Sequence, residues 1–292
     1  MVRSRAVLSP LTLLLAGLIL SLAGCQGGSS AAFTELATAR RLAADLRFQF
    51  TKAADASNRA VMADTDEASV AYAHEAEQAT QTVQSDIDAL TPDLRSLGYP
   101  AAIGFIEDFG KRFAAYRALD RKVLDLAVEN TNLKAQHLSF GPASEAADGF
   151  RTAIEGAGAQ SKDHCRVESL AAKAVLAVRE VQVMQGPHIA ESDDAAMTRM
   201  ETEMSRLEAT ASDALSQISA LEPPQPQLAV AVAALDRFKE LTRQIVALSR
   251  RNTNVRSLEL SLRDKPALTA SCDDSLRSLE EALAKEGSTG TR

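Results

Sequence analysis

Two short polar runs carry the side chains best able to do chemistry. Asn130-Thr131-Asn132 is followed by Lys134 and His137, and 122 residues further on Asn252-Thr253-Asn254 is followed by Arg256. Side-chain amides supply donors and acceptors together, and a cation near them could close on a small acid. Both runs fall on apolar stripes that advance in steps of three and four. The first reads Phe105, Phe109, Phe113, Tyr116, Leu119, Val123, Leu126, Asn130, Leu133, His137, Phe140. The second reads Leu228, Leu235, Phe238, Leu241, Ile245, Leu248, Asn252, Val255, Glu259, Leu262. Such spacing puts Asn130 and Asn252 on the buried face of a helix. An amide buried without partners costs about 1–3 kcal/mol, so something must satisfy it. Three readings stay open: setting helix register, contacting a ligand or partner, or facing solvent. Lys134 and Arg256 read either as ligand-facing cations or as rim residues with their stems along apolar surface.

The remaining reactive side chains do not converge. His74, His137, His164 and His188 are scattered, and His74-x-x-Glu77 reverses the Glu-x-x-His order of di-iron bundles. No haem-attachment run, phosphate-cradling glycine loop or nucleophile motif is present. The expectation is therefore no enzyme, no metal and no cofactor. Two thiols invite a disulfide, but Cys165 and Cys272 lie at bundle levels that differ by roughly 15–30 Å at helical rise, which argues against one within the chain without closing it. A bond between two chains stays open.

Helices must position these groups. The chain has 292 residues, no tryptophan and only 4% aromatics, with alanine and leucine dominant. Those residues lose least on entering a helix, and no alternating β-branched run competes. The fold class is all-α. The matching runs belong to a longer repeat, in which Phe113, Tyr116, Arg121, Val123 and Leu126 correspond to Leu235, Phe238, Arg243, Ile245 and Leu248. In the first copy a helix from about Phe33 to Met62 precedes a capping box at Asp64–Glu67. A second helix stops at Thr91-Pro92, and a third runs from Ala101 to Ser139, ending at Gly141-Pro142. In the second copy Gly186-Pro187 ends the first helix, Ser192-Asp193 caps the next, and Pro223-Pro224-Gln225-Pro226 breaks the chain again. The predicted architecture is two tandem up-down four-helix bundles, residues 33–158 and 159–286, with a polar tail at 287–292. Between Pro142 and Gln185 either Gly156 and Gly158 break the chain, or one long kinked helix serves both bundles.

The N-terminus has its own logic. Arg3 and Arg5 precede an apolar run from Val7 to Leu22, as in a secretory signal. Leu22-Ala23-Gly24-Cys25 resembles the lipobox of bacterial lipoproteins. That resemblance implies removal of residues 1–24, a lipid on Cys25 and a membrane anchor, with residues 25–32 as a flexible tether. Several acyl chains on one cysteine would hold stably where one would not. Gln26, in place of aspartate, leans toward the outer membrane and a periplasm-facing protein. Losing Arg3 and Arg5 moves the net charge from −7 to −9, which argues against nucleic acid as a partner.

The segment Leu126–Ala135 and its echo Leu248–Ser257 resemble the periplasmic four-helix-bundle sensor domains of methyl-accepting chemotaxis receptors. The resemblance implies small-ligand binding between helices, often at a dimer interface, and signalling through a partner. No receptor residue maps onto a ligand contact here, and a second span and a cytoplasmic hairpin are not found in the sequence. The expected function is a non-catalytic sensory or ligand-binding module, taking a small solute, a protein partner or a second copy. The rival is a spacer or adaptor of the envelope without a small ligand. A binding module predicts a concave polar site at Asn130 or Asn252, whereas a spacer predicts sealed bundles with an exposed apolar strip.

Overall fold

The computed structural model describes residues 26–158, 163–222 and 225–289. In chain order the helices are α1 (Gln26–Val61), α2 (Asp66–Leu97), α3 (Pro100–Glu129), α4 (Thr131–Leu138), a π-turn (Ser139–Ala143), α5 (Ser144–Gly158), α6 (His164–Ala190), α7 (Asp194–Leu221), α8 (Pro226–Arg251), α9 (Thr253–Arg263) and α10 (Lys265–Thr289). The fold is all-α. It divides into two compact units: one takes the chain up to Ala56, Glu75–Ala118 and everything from Lys265, the other Ser57–His74 and Leu119–Asp264.

The first unit is an up-down bundle of α1, α2, α3 and α10. Arg47 on α1 reaches Asp273 and Glu280 on α10, while Arg112 on α3 reaches Ser271 on α10. Leu46 and Phe50, Val83 and Leu90, Phe109, Phe113 and Tyr116, and Leu276 and Leu283 meet in one core. Phe50 packs edge-on against Phe109, Phe113 and Tyr116 at 5.1–6.2 Å between ring centres. Such pairs add about 0.5–1.5 kcal/mol beyond area burial.

In the second unit the bundle is made of α5, α6, α7 and α8. Asp148 on α5 pairs with Arg179 on α6, and Ser139 reaches Gln185, so these two helices run antiparallel. That excludes one continuous helix from Pro142 to Gln185. Phe150, Val178, Val181, Leu207, Ile218, Leu235 and Phe238 fill the core.

Each bundle thus draws three helices from one repeat and its fourth from the other. α5 closes the first copy in sequence but packs with α6–α8, and α10 closes the second copy but packs with α1–α3. The compact units are therefore not residues 33–158 followed by 159–286. The chain breaks at Asn130 and Asn252, and the exchange of fourth helices follows those breaks.

Local signals fared unequally. Asp193 caps α7 as expected, accepting from the Ala196 N–H at 2.6 Å. The cap of α2 is Thr65, which accepts from the Ala68 N–H, rather than Asp64 with Glu67. Pro92 does not stop α2: it is exposed, so water can serve the carbonyl it leaves unpaired, while Leu90 and Leu94 stay buried on the opposite side. α2 ends instead at Gly98, whose φ of 70° suits a residue without Cβ. Gly141-Pro142 is absorbed by the π-turn, and α6 runs through Gly186-Pro187 to Ala190. Gln26–Ala32 form the first turns of α1 rather than a tether, because extending an existing helix through Gly and Ser costs only about 0.5–1 kcal/mol per residue. Likewise α10 carries Gly287–Thr289, taken from the expected tail. Residues 1–24, Cys25, Pro223 and Pro224 lie outside the described residues.

Candidate functional site

The two Asn-Thr-Asn runs meet, and each completes the other. Asn130 (φ 50°) and Asn252 (φ 55°) are the non-glycine residues with left-handed backbone among those described. Asparagine visits this region more readily than other side chains. Behind each asparagine a helix begins, α4 and α9, whose first amides have no intrahelical acceptor. Acceptors come from the opposite copy. The Thr131 N–H donates to Thr253 Oγ1 and the Thr253 N–H to Thr131 Oγ1, both at 3.1 Å. The Asn132 N–H donates to Asn254 Oδ1 at 3.1 Å, and the Asn254 N–H to Asn132 Oδ1 at 3.2 Å. Asn132 Nδ2 donates to Asn252 Oδ1 at 2.7 Å, and Asn254 Nδ2 to Asn130 Oδ1 at 2.8 Å. Two helix N-termini are thus capped in trans about a local two-fold axis. At the equivalent positions just before it, Glu129 and Arg251 form an ion pair.

The symmetry fails at one point. Asn252 Nδ2 donates to the Glu191 carbonyl at 2.8 Å and Asn132 Nδ2 also to the Ile189 carbonyl at 2.6 Å, both at the end of α6. Asn130 Nδ2 is fully buried and finds no acceptor.

The neighbouring candidates do not join this clasp. Lys134 donates to the Glu129 carbonyl and pairs with Asp66 at 3.5 Å, half in solvent. Arg256, His137 and Phe140 are exposed, as are Glu259 and Leu262. The apolar stripes hold as far as Leu126 and Leu248, then lose phase. The left-handed asparagine rotates the following helix, which buries Thr131, Asn132 and Ala135, or Thr253 and Ser257, instead. Cys165 and Cys272 are free thiols. Burial pushes the Cys272 thiol up to about 12, whereas Cys165 is exposed.

One cluster has no counterpart in the sequence reading. His188, fully buried on α6, sits between Ser249 Oγ at 2.7 Å (Nδ1) and Glu201 Oε1 at 2.8 Å (Nε2). Arg250 Nε donates to the same Glu201 oxygen at 2.6 Å. That guanidinium first, then the imidazole, holds the Glu201 carboxyl below the usual carboxylate range. The types are those of a Ser-His-Glu triad, but Ser249 is buried and its hydroxyl also engages the Ile245 carbonyl. The cleft beside it, about 270 Å³, is lined by Glu201 and Thr242 but not by His188 or Ser249. The geometry holds α6, α7 and α8 together around a Ser249 that is fully buried. No local signal marks this cluster in the sequence, since His188, Glu201 and Ser249 stand on three different helices and share no spacing.

Two larger clefts flank the outer crest of α6. One of about 520 Å³ is lined by Glu155, Glu168, Ala172, Val175, Leu176 and Arg179. The other, about 580 Å³, is lined by Leu176, Glu180, Val183, Met184, Glu203 and Leu207. Among the described residues no three metal-binding side chains converge, and no helix is long and apolar enough to cross a membrane. No protein-family model matches the chain, and no curated protein matches it.

Proposed function

We propose that this chain is a lipid-anchored, non-catalytic helical protein of the cell envelope that works by protein contact, as an adaptor or spacer. The observation that carries this reading is the clasp. The amides best placed to hold a solute are used to cap one another, and exposed apolar side chains lie elsewhere, Leu176 and Val183 on α6 among them. The lipobox-like Leu22-Ala23-Gly24-Cys25 supports anchoring through Cys25 on the periplasmic side, the outer membrane being favoured by Gln26. The acidic surface supports a protein partner or a second copy over nucleic acid.

The sensory reading keeps one observation in its favour, the buried Asn130 Nδ2 without an acceptor. Thermal unfolding of the full chain against amino acids, organic acids, sugars and metal ions separates the two. A ligand at a hundred times its dissociation constant adds about 2.7 kcal/mol. The contact reading expects a flat screen. A shift from one chemical class, lost in Asn130→Ala, would replace it with the sensor. Cys25→Ser should move the protein from membranes to the soluble fraction, and retention in the membrane would sink the lipid anchor.

A further inference from the structure

We propose that the outer crest of α6 is a self-association seam, on which the α6 of a second copy packs antiparallel. This rests on the protein-contact reading and names the partner. Along the exposed arc of α6 run Ala172, Lys173, Leu176, Glu180, Val183 and Pro187, at the three- and four-residue steps of a helix-packing stripe. Leu176 is 60% exposed and Val183 74%, the two large aliphatic side chains of α6 left in water. A crest with a cleft on each side is complementary to a copy of itself: Leu176 of one copy enters the cleft beside Leu176 of the other, as ridges enter grooves. Both clefts share Leu176 and Arg179, so the crest and its flanks form one continuous surface.

Charge selects the direction. Lys173 and Glu180 lie on the same arc on opposite sides of Leu176. In a parallel pair each would face its own copy, lysine on lysine and glutamate on glutamate. With the helices antiparallel and the two-fold axis beside Leu176, each Lys173 faces the other copy's Glu180, and the contact is self-complementary. The same register sets the exposed Cys165 thiols roughly 34 Å apart at 1.5 Å per residue, so they cannot form a disulfide.

The test uses the full chain with Cys25→Ser, followed by sedimentation and by oxidative crosslinking. Lys173→Glu should weaken the dimer roughly tenfold or more, since like charges then face across the axis twice. Combining Lys173→Glu with Glu180→Lys should restore it. Leu176→Cys should give a covalent dimer on oxidation, and the native Cys165 should not. A wild-type chain that stays monomeric at its solubility limit overturns the seam, as does crosslinking through Cys165 or a double variant no better than the single one. The contact reading fails by a different observation, a specific ligand shift in the thermal screen, so the two failures are separable.

Discussion

The two copies of the repeat close the same layer by different means. Just before the left-handed asparagine, the second copy places His188 between Ser249 and Glu201. At the corresponding level of the first copy stand Ala60 and Ala127, and one hydroxyl, Ser69 Oγ, lies 3.1 Å from one carbonyl and 3.0 Å from the other. A buried imidazole held by a hydroxyl and a carboxylate stands where the first copy has a single small hydroxyl. The asparagines beyond show the same bias, since Asn252 uses both of its amide atoms and Asn130 only its oxygen. At these two positions the second copy carries more of the polar bonding, and substitutions at His188 and Asn252 should cost more than at Ser69 and Asn130. Asn132, with a bond to the Ile189 carbonyl that Asn254 lacks, reverses the bias.

The largest difference is expected within the clasp. Asn132 makes two donations through Nδ2 and accepts from Asn254, all in a buried setting. Asn132→Ala should cost roughly 3–4 kcal/mol in urea unfolding, because each lost bond leaves a buried partner unpaired. Asn252→Ala should cost about 2–3 kcal/mol, and Asn130→Ala about 1–2, much of that from placing a Cβ-bearing residue without the amide at positive φ. Asn130→Gly, which tolerates that backbone, should cost less than Asn130→Ala, about 1 kcal/mol remaining from the lost bond of Asn254 Nδ2. Equal losses at Asn130 and Asn252 would abolish the comparison and point to an acceptor for Asn130 Nδ2 in solution.

A smaller gap is expected one layer down. His188→Ala removes a fully buried ring together with its bonds to Glu201 and Ser249, for roughly 3 kcal/mol. Ser69→Ala should cost about 1 kcal/mol. The pH dependence sharpens the contrast. The Glu201 carboxyl is held low in the fold, so its stabilising contribution is present above its unfolded value near about 4.3 and is lost as pH falls through the lower folded value. Glu201→Gln should flatten that acid limb of the unfolding curve. An unchanged acid limb would mean that the Arg250–Glu201–His188 contacts do not persist in solution.

Why some of this was legible in the chain and some was not follows from the range of each interaction. The all-α class and the buried stripe from Phe105 to Leu126 rest on local periodicity, and the fold agrees with them, whereas several helix ends fall elsewhere than the proline and glycine signals put them. The stripe marks Asn130 and Asn252 as buried amides needing partners, and the partners of their oxygens are Asn254 and Asn132 of the opposite copy. A polar triplet that recurs at equal offset is a signal for two copies meeting about an axis, but periodicity alone does not say that they meet. Nor does it show that α5 and α10 change bundles, since each is an ordinary amphipathic helix with a face that suits either core. Pro92 misled because a proline on the wet side of a helix loses a bond that water replaces. The stripe failed beyond Asn130 for a related reason, as one residue at positive φ resets the phase of everything after it.

The smallest effect is expected ten residues before each asparagine, where the comparison is closest to balanced. Thr242 Oγ1 accepts from Gln185 Nε2 at 3.1 Å, and Gln185 Oε1 in turn accepts from Ser139 Oγ in the π-turn at 2.7 Å. In the first copy Asp120 holds the matching place, and Ser57 Oγ donates to its Oδ1 at 2.6 Å. Thr242→Val keeps the shape and deletes the acceptor, leaving one buried amide donor unpaired, for about 1 kcal/mol. Ser57→Ala deletes a shorter bond to a carboxyl oxygen and should cost slightly more, about 1.5 kcal/mol. Here, as at Asn132, the first copy is expected to lose more, because its bond is made to an acid and that of the second copy to a hydroxyl. Urea midpoints of the two variants, compared at equal slope, decide it. A Thr242→Val loss well above that of Ser57→Ala would mean that the second copy dominates at this layer too, with Gln185 coupling the π-turn to the clasp.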